Sequence, residues 1–161
     1  MSLIGWLLVA ICVAGRTWCG TYICGSKKVN LVTGGPYSMS RNPLYFFSFL
    51  GGLGIMLLTE TLLLPALFAL LFWLYYPHVI RREEEMLLNR HGAAYEAYCA
   101  RVPRFWPKYS LYAEPANHVV LVVPFRKHLA DVLLFVIAGG IIEFIKGMHT
   151  AGYLPALVHL Y

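Results

Sequence analysis

The chain has 161 residues, of which 59% are hydrophobic and only 13% are charged. About a quarter of the residues in an ordinary soluble domain are charged, so this composition excludes such a domain and favours an integral membrane protein. A net charge of +5 would suit nucleic acid, but in a membrane protein an excess of Lys and Arg marks the cytoplasmic face. We therefore expect one integral membrane domain over residues 1–161, with the lipid bilayer and no nucleic acid as its partner.

The cysteines predict neither a metal site nor a disulfide framework. Cys12, Cys19, Cys24 and Cys99 show no paired CxxC spacing, and such spacing is the usual signal for zinc. Residues 1–14 carry no basic residues ahead of their apolar run, so a cleaved signal peptide is not expected.

The first candidate span covers residues 3–23 and contains one charge, Arg16. A charge inside a span is costly and tends to face protein, a cavity or the interface. We favour a structural anchor over a site role for this arginine. A basic segment, residues 25–28, follows the span.

Residues 34–45, with the sequence GGPYSMSRNPLY, are the most unusual stretch of the chain. Two glycines permit positive φ or close approach, while Pro36 and Pro43 fix φ and bias their predecessors toward extended conformations. Arg41 adds a permanent charge with five donors. The stretch is either a tight turn beside the membrane, with its arginine at the lipid headgroups, or part of a binding site.

Two apolar segments, residues 44–58 and 62–80, follow with only residues 59–61 between them. A helix rises about 1.5 Å per residue, so fifteen residues are short for a hydrocarbon core of about 30 Å. We expect residues 59–61 to lengthen the first helix and the two segments to form a helical hairpin. Gly51, Gly52 and Gly54 are expected to allow close helix packing.

The most polar stretch, residues 81–100, is predicted to be helical. Glu84, Leu88, His91, Tyr95 and Tyr98 recur at steps of four and three, which places them on one helix face. Gly92 interrupts this helix or permits a close approach. Both tyrosines are more typical of an interfacial belt than of a ligand site.

The last third contains a polar linker, residues 113–118, and a fourth span at residues 129–145. A short basic segment, residues 124–128, precedes this span. The extra span and tail, residues 119–161, either brace the bundle, shape a lipid entrance or mediate oligomerisation. The sequence does not choose among these roles and predicts no oligomeric state.

The basic residues predict the topology. With four spans, one side carries Lys27, Lys28, Arg41, Arg81, Arg82, Arg90, Arg101, Arg104, Lys108, Arg126 and Lys127. Lys146 falls on the other side, so the positive-inside rule makes the crowded side cytoplasmic. We predict an all-α, polytopic transmembrane helical bundle of about four spans, with both termini outside and both polar clusters facing one cytoplasmic cleft.

In order and spacing the two clusters resemble the isoprenylcysteine carboxyl methyltransferase and phospholipid methyltransferase superfamily of integral membrane methyltransferases. The matching features are the stretch at residues 34–45, a helical hairpin, Glu84-Glu85, the pattern G-x-x-Y-x-x-Y from Gly92 to Tyr98, and a basic, proline-containing end. The resemblance covers about residues 16–108, a methyltransferase-like core. It implies S-adenosyl-L-methionine as the cofactor.

The resemblance also implies site residues. The expected cofactor contacts are Val29, Asn30, Leu31, Val32, Tyr37, Arg41, Asn42, Pro43, Leu44, Tyr45 and Glu85. A carboxylate is needed for the cofactor's ammonium, and an arginine or free backbone amides are needed for its carboxylate. Rings such as Trp106 are further candidates to flank the sulfonium or adenine.

Arg81 and Glu84 are the expected catalytic residues. The family arginine that Arg81 matches meets a substrate carboxylate, and methyl transfer then depends on positioning and electrostatics. An amine substrate must lose a proton, for which Glu84 is the candidate acceptor. We expect methyl transfer to a prenylated or other lipid-like substrate, with a phospholipid or small lipidic amine as the alternative. A further alternative is a non-enzymatic membrane scaffold or an inactive relative.

Two positions depart from the family pattern. Asn42 stands where the family has histidine. Asparagine can make a hydrogen bond in place of histidine, but it cannot carry the positive charge of a protonated imidazole. Phe47 stands where the family has glycine, which removes a site of close approach.

Overall fold

A computed structural model describes residues 1–24 and 30–153 of the chain, which fold into helices without any strand. The helices are α1 (Ser2–Ile23), α2 (Pro36–Met39), α3 (Pro43–Leu57), α4 (Leu63–His91), α5 (Ala93–Arg101) and α6 (Val122–Thr150). A short 3₁₀ turn, Tyr109–Leu111, lies between α5 and α6. The predicted all-α bundle is confirmed.

Three of these helices, α1, α4 and α6, are long and apolar enough to cross a membrane. The apolar helix α3 has 15 residues and is therefore about 22 Å long. The expected lengthening by residues 59–61 is wrong, because the helix ends at Leu57 and Glu60 turns the chain with φ of 61°. About four spans remain consistent with this arrangement, with α3 as the short one.

Glycines set the packing of α1 against α3. Gly5 on α1 lies against Gly54 and Leu58, while Gly15 lies directly against the ring of Phe47. The start of α1 therefore meets the end of α3, and the two helices run antiparallel. This confirms the expected packing role of Gly54 and shows where Phe47 points: its ring fills the space that Gly15 leaves on α1.

The other two long helices pack on this pair from different sides. Aromatic residues join α3 to α4, with the rings of Phe49 and Phe72 4.7 Å apart. Helix α6 packs on α1, where His128 lies over Gly20 and Trp6 lies against Gly139. Helix α6 begins at Val122, so the basic segment at residues 124–128 is its first turns rather than a separate element. Pro124 is tolerated there because the first turn has no intrahelical donors to lose.

The two ends of the bundle differ in character. At one end Lys146 of α6 bonds to Glu60 at 2.9 Å and to the hydroxyl of Ser2 at 3.0 Å. The opposite end gathers residues 34–45 with the polar part of α4 and with α5. The two polar clusters of the sequence therefore share one end, as predicted.

A candidate ligand cleft at the polar end

A cleft with about 640 Å³ of empty space opens at the polar end of the bundle. Of the predicted cofactor contacts, those that line it are Asn30, Leu31, Val32, Tyr37, Arg41, Asn42, Leu44 and Tyr45. Glu84, predicted as catalytic, lines it as well. We call this space the central cleft; residues from five separate parts of the chain meet in it.

Some lining residues were not predicted as site residues. They are Ile23, Glu83, Leu87, Tyr95 and Tyr98. The two tyrosines were expected in an interfacial belt, but their exposed fractions are only 3% and 4%. The signal for them was the G-x-x-Y-x-x-Y pattern, which places both rings on one side of α5.

Other predicted residues lie elsewhere. Pro43 is fully buried at the first position of α3, and Val29 is outside the described residues. Arg81 and Glu85 are exposed on α4 and line a neighbouring space, which we call the side pocket. Arg41, Glu84 and Tyr95 line both the central cleft and the side pocket, so these three side chains form the partition between the two.

Arg41 is held on the partition by an ion triad. Its guanidinium lies 3.0 Å from one oxygen of Glu84, and the guanidinium of Arg104 lies 2.8 Å from the other oxygen. Arg41 also donates to Sγ of Cys99 at 2.9 Å. These contacts fix the direction of a side chain that otherwise has many rotamers, and they leave part of its donor set for a ligand.

Tyr37 is a buried polar residue of the central cleft. It is 94% buried, being 6% exposed, and its hydroxyl has no hydrogen-bond partner among the described residues. Its carbonyl accepts a bond of 2.7 Å from the hydroxyl of Tyr98. Burial raises the pKa of Tyr37 well above its usual value, so the side chain stays a neutral phenol that can donate.

The start of α3 supplies further donors and an acid. Leu44 and Tyr45 lie in the first turn, where backbone N–H groups have no partner inside the helix. The hydroxyl of Tyr45 donates to Glu83 on α4 at 2.8 Å. Donors and a carboxylate therefore lie together along one wall of the central cleft.

The segment between α5 and α6, residues 102–121, binds the backbone of the unusual stretch; we call it the strap. The strap carbonyls of Ala113 and Pro103 accept from the backbone N–H groups of Gly35 and Arg41, at 2.8 and 2.9 Å. The N–H of Lys108 donates to the carbonyl of Met39 at 2.9 Å. The segment thus fixes residues 35–41 along their length.

The two departures from the family pattern have structural explanations. The side-chain amide of Asn42 donates to the strap carbonyl of Arg104 at 2.9 Å, so it joins α3 to the strap. Phe47 points at α1 and does not line the central cleft. Neither residue obstructs the space in which the predicted contacts meet.

Two further residues fall outside the central cleft. Arg16 bonds to Ser48 and lies 5.2 Å from the ring centroid of Phe135, so it joins α1 to α3 and α6. This agrees with the anchor role favoured for it. Trp106 packs against Phe46 and Trp73 and does not flank the central cleft as expected.

The comparisons with known proteins agree with this architecture. The profile of the phospholipid methyltransferase family matches residues 3–94, and the chain belongs to that family. It is also 33% identical over 97 residues to the protein-S-isoprenylcysteine O-methyltransferase of Schizosaccharomyces pombe, a match that covers 58% of this chain and 40% of the relative. The predicted resemblance is confirmed.

Two bacterial relatives match nearly the whole chain. The nickel-cobalt-cadmium resistance protein NccN of Alcaligenes xylosoxydans is 40% identical over 98% of this chain and 73% of its own length. The cobalt-zinc-cadmium resistance protein CzcN of Cupriavidus metallidurans is 41% identical over 98% of this chain and 72% of its own length. No solved structure matches the chain significantly.

Proposed function

We propose that the protein is an S-adenosylmethionine-dependent membrane methyltransferase that acts on a lipid-like substrate. The observation that carries the proposal is the polarity of the central cleft, which has a carboxylate wall, an arginine and a buried phenol without a partner. These groups match the ammonium, the carboxylate and the polar edges of the cofactor. Bound S-adenosylmethionine supplies an electrophilic methyl group on its sulfonium.

Different residues of the central cleft suit different groups of this cofactor. Arg41, held by Glu84, and the free N–H groups at the start of α3 suit the cofactor's carboxylate. Glu83, beside Tyr45, suits its ammonium. The prediction that Glu85 binds the ammonium stays a prediction, and its position in the side pocket favours Glu83 instead.

The first test is binding of S-adenosylhomocysteine to the purified full chain in detergent, measured by calorimetry. Tyr37→Phe removes one oxygen that has no partner, so we expect unchanged or higher thermal stability. A neutral hydrogen bond contributes about 0.5–1.5 kcal/mol, so affinity should fall about two- to tenfold. Tyr109→Phe is the matched control, because Tyr109 is 75% exposed on the strap. No binding by the wild-type chain would overturn the proposal.

The substrate is proposed to enter through the side pocket, where Arg81 is available for an acidic group. We expect Arg81→Ala to lower kcat and raise KM for a carboxyl acceptor without changing affinity for S-adenosylhomocysteine. Arg81→Lys should rescue only partly, since an ammonium cannot make the planar two-pronged contact. Arg82→Ala is the control, because Arg82 carries the same charge at the next position but does not line the side pocket. Unchanged kinetics, or improved turnover of an amine acceptor, would favour the phospholipid or small-amine alternative.

We further propose that the central cleft faces the cytoplasm. Cysteines placed in a Cys99→Ala background at Arg90 and Leu62, both exposed at opposite ends, test this with a membrane-impermeant maleimide. In intact cells we expect labelling at position 62, and labelling at position 90 only after permeabilisation. The reverse pattern would contradict the orientation.

A second candidate function comes from the two bacterial relatives named for metal resistance. It is a non-enzymatic membrane component of a metal-resistance system. Within residues 1–24 and 30–153, no three side chains of His, Cys, Asp or Glu form a group that could hold a metal ion. Binding of S-adenosylhomocysteine separates the candidates, because a scaffold has no need of it.

A further inference from the structure

Cys99 in α5 contacts Arg41 from the side-pocket face of the partition. Its sulfur accepts a hydrogen bond from Nη1 of Arg41 at 2.9 Å, and the residue lines the side pocket but not the central cleft. The thiol is fixed in place, because Cys99 packs against the buried cluster of Tyr95, Tyr98 and Val102. The position lies beyond residue 94, where the match to the family profile ends.

Two arginines share one carboxylate in the ion triad, so one positive charge of the triad is not balanced. Arg41 and Arg104 approach different oxygens of Glu84. Glu85 and Glu96 also line the side pocket, but neither forms an ion pair with Arg41 in the described structure. The partition therefore offers a positive charge that an anionic group of a ligand can balance.

One edge of the Arg41 guanidinium has no partner. Nη1 faces both Glu84 and Cys99, whereas Nε is buried without a hydrogen bond and Nη2 makes none to a described residue. Nε and Nη2 together form an edge that can bind a carboxylate through two parallel hydrogen bonds. A buried donor without a partner costs free energy, so this edge suits an anionic group that arrives with the ligand.

We propose that Cys99 is a positioning residue that makes the central cleft selective for a carboxylate. The thiol holds Nη1 on the side-pocket face and leaves the edge of Nε and Nη2 for the ligand. A thiol is a weak acceptor without charge, so it orients Arg41 without neutralising it, as a carboxylate at this position would. The inference rests on the proposed function, because the carboxylate concerned is that of S-adenosylmethionine.

Two ligands isolate this selectivity in calorimetry with the full chain in detergent. They are S-adenosylhomocysteine and its decarboxylated analogue, which keeps the ammonium and lacks the carboxylate. We expect the wild-type chain to bind S-adenosylhomocysteine about tenfold or more tightly than the analogue, as for a charge-assisted contact. Cys99→Asp should remove most of this preference by weakening S-adenosylhomocysteine alone. Cys99→Asn, which has the same shape and still accepts from Arg41, should keep the preference.

Ala100→Asp is the matched control for the added charge, because Ala100 is exposed at the next position and lines neither space. It should leave both affinities unchanged. Retained binding of the analogue by Cys99→Asp shows that this variant is folded. Equal effects of Cys99→Asp and Cys99→Asn, or equal weakening of both ligands by Cys99→Asp, would mean a merely structural role and overturn the inference.

Arg104→Gln tests the same charge balance without changing Cys99. The side chain of Arg104 is 37% exposed, so the variant should fold, and it leaves Arg41 and Glu84 as a neutral pair. Affinity for S-adenosylhomocysteine should fall while affinity for the analogue holds, and an unchanged preference would contradict the inference. A wild-type chain that binds neither ligand would overturn the proposed function as well. Binding of S-adenosylhomocysteine without preference over the analogue would overturn the role of Cys99 alone.

Discussion

Gly35→Ala is expected to unfold the polar end of the bundle and abolish binding in the central cleft. Gly35 has φ of 57° and ψ of −129°, a conformation that costs another residue about 1–3 kcal/mol. A Cβ at this position would also meet the ring of Tyr22. That ring cannot easily move, because its hydroxyl is bonded to Glu114 and its face is stacked on His118.

Gly92 provides a matched control with nearly the same backbone. Its φ is 51° and its ψ is −127°, but a Cβ there would meet nothing within 4 Å. Gly92→Ala should therefore lower the free energy of unfolding only by the cost of the backbone strain, about 1–3 kcal/mol. Thermal unfolding in detergent and calorimetry with S-adenosylhomocysteine measure both effects. Equal losses in the two variants would mean that contact with Tyr22 is unimportant.

Glu84→Gln is expected to give the second large effect. The substitution keeps the shape of the side chain but removes the charge that holds Arg41 and Arg104. These ion pairs are only partly exposed to solvent, and the two guanidinium groups would be left without their counter-charge. We expect a lower unfolding temperature and at least a tenfold loss of affinity for S-adenosylhomocysteine, because Arg41 is no longer held at the partition.

Comparison with the adjacent residue, Glu85, shows which of the two acids ligand binding depends on. Glu85 is exposed and lines only the side pocket among the two spaces, so Glu85→Gln should change stability and affinity little. If instead Glu85→Gln abolished binding while Glu84→Gln retained it, the assignment drawn from the family resemblance would be correct. The geometry of the ion triad would then be irrelevant to the ligand.

Apolar length and periodicity were sufficient to predict the existence of the long helices, but not the short helix α2 or the start of α6. The span predicted at residues 3–23 is α1. Gly92 was expected to interrupt the polar helix or to permit a close approach, and the structure shows the interruption, with α4 ending at His91 and α5 beginning at Ala93. The failure at residues 59–61 has a local cause, because the polar residues there close a turn through the positive φ of Glu60. Such turn geometry depends on what the ends of both helices pack against, which hydropathy does not describe.

The sequence predicted that the two polar clusters meet, but not which acids face the central cleft. The stretch at residues 34–45 was correctly placed beside α4, but the neighbouring acids Glu83, Glu84 and Glu85 differ by rotation about the helix axis. Successive residues of a helix are about 100° apart, so a small error in rotation exchanges their roles. The packing of α4 against α3, through residues such as Phe72 and Tyr76, fixes that rotation.

The strap was not predicted because its hydrogen bonds to residues 35–42 use the strap's own backbone groups. A carbonyl such as that of Ala113 or Pro103 accepts in the same way whatever side chain it carries, so composition gives no signal for the contact. The sequence showed a polar linker at residues 113–118 and nothing that linked it to Gly35.

The strap has a consequence for how the protein is made. Chains are synthesised from the N-terminus, at about 5–20 residues per second, and residues 34–45 emerge long before residues 102–121. A nascent chain that has inserted α1, α3 and α4 therefore holds the unusual stretch without the carbonyls that later bind it. The central cleft should therefore bind a ligand only after the strap has left the ribosome. Measuring ligand binding by stalled nascent chains of increasing length would show when this last step of folding occurs.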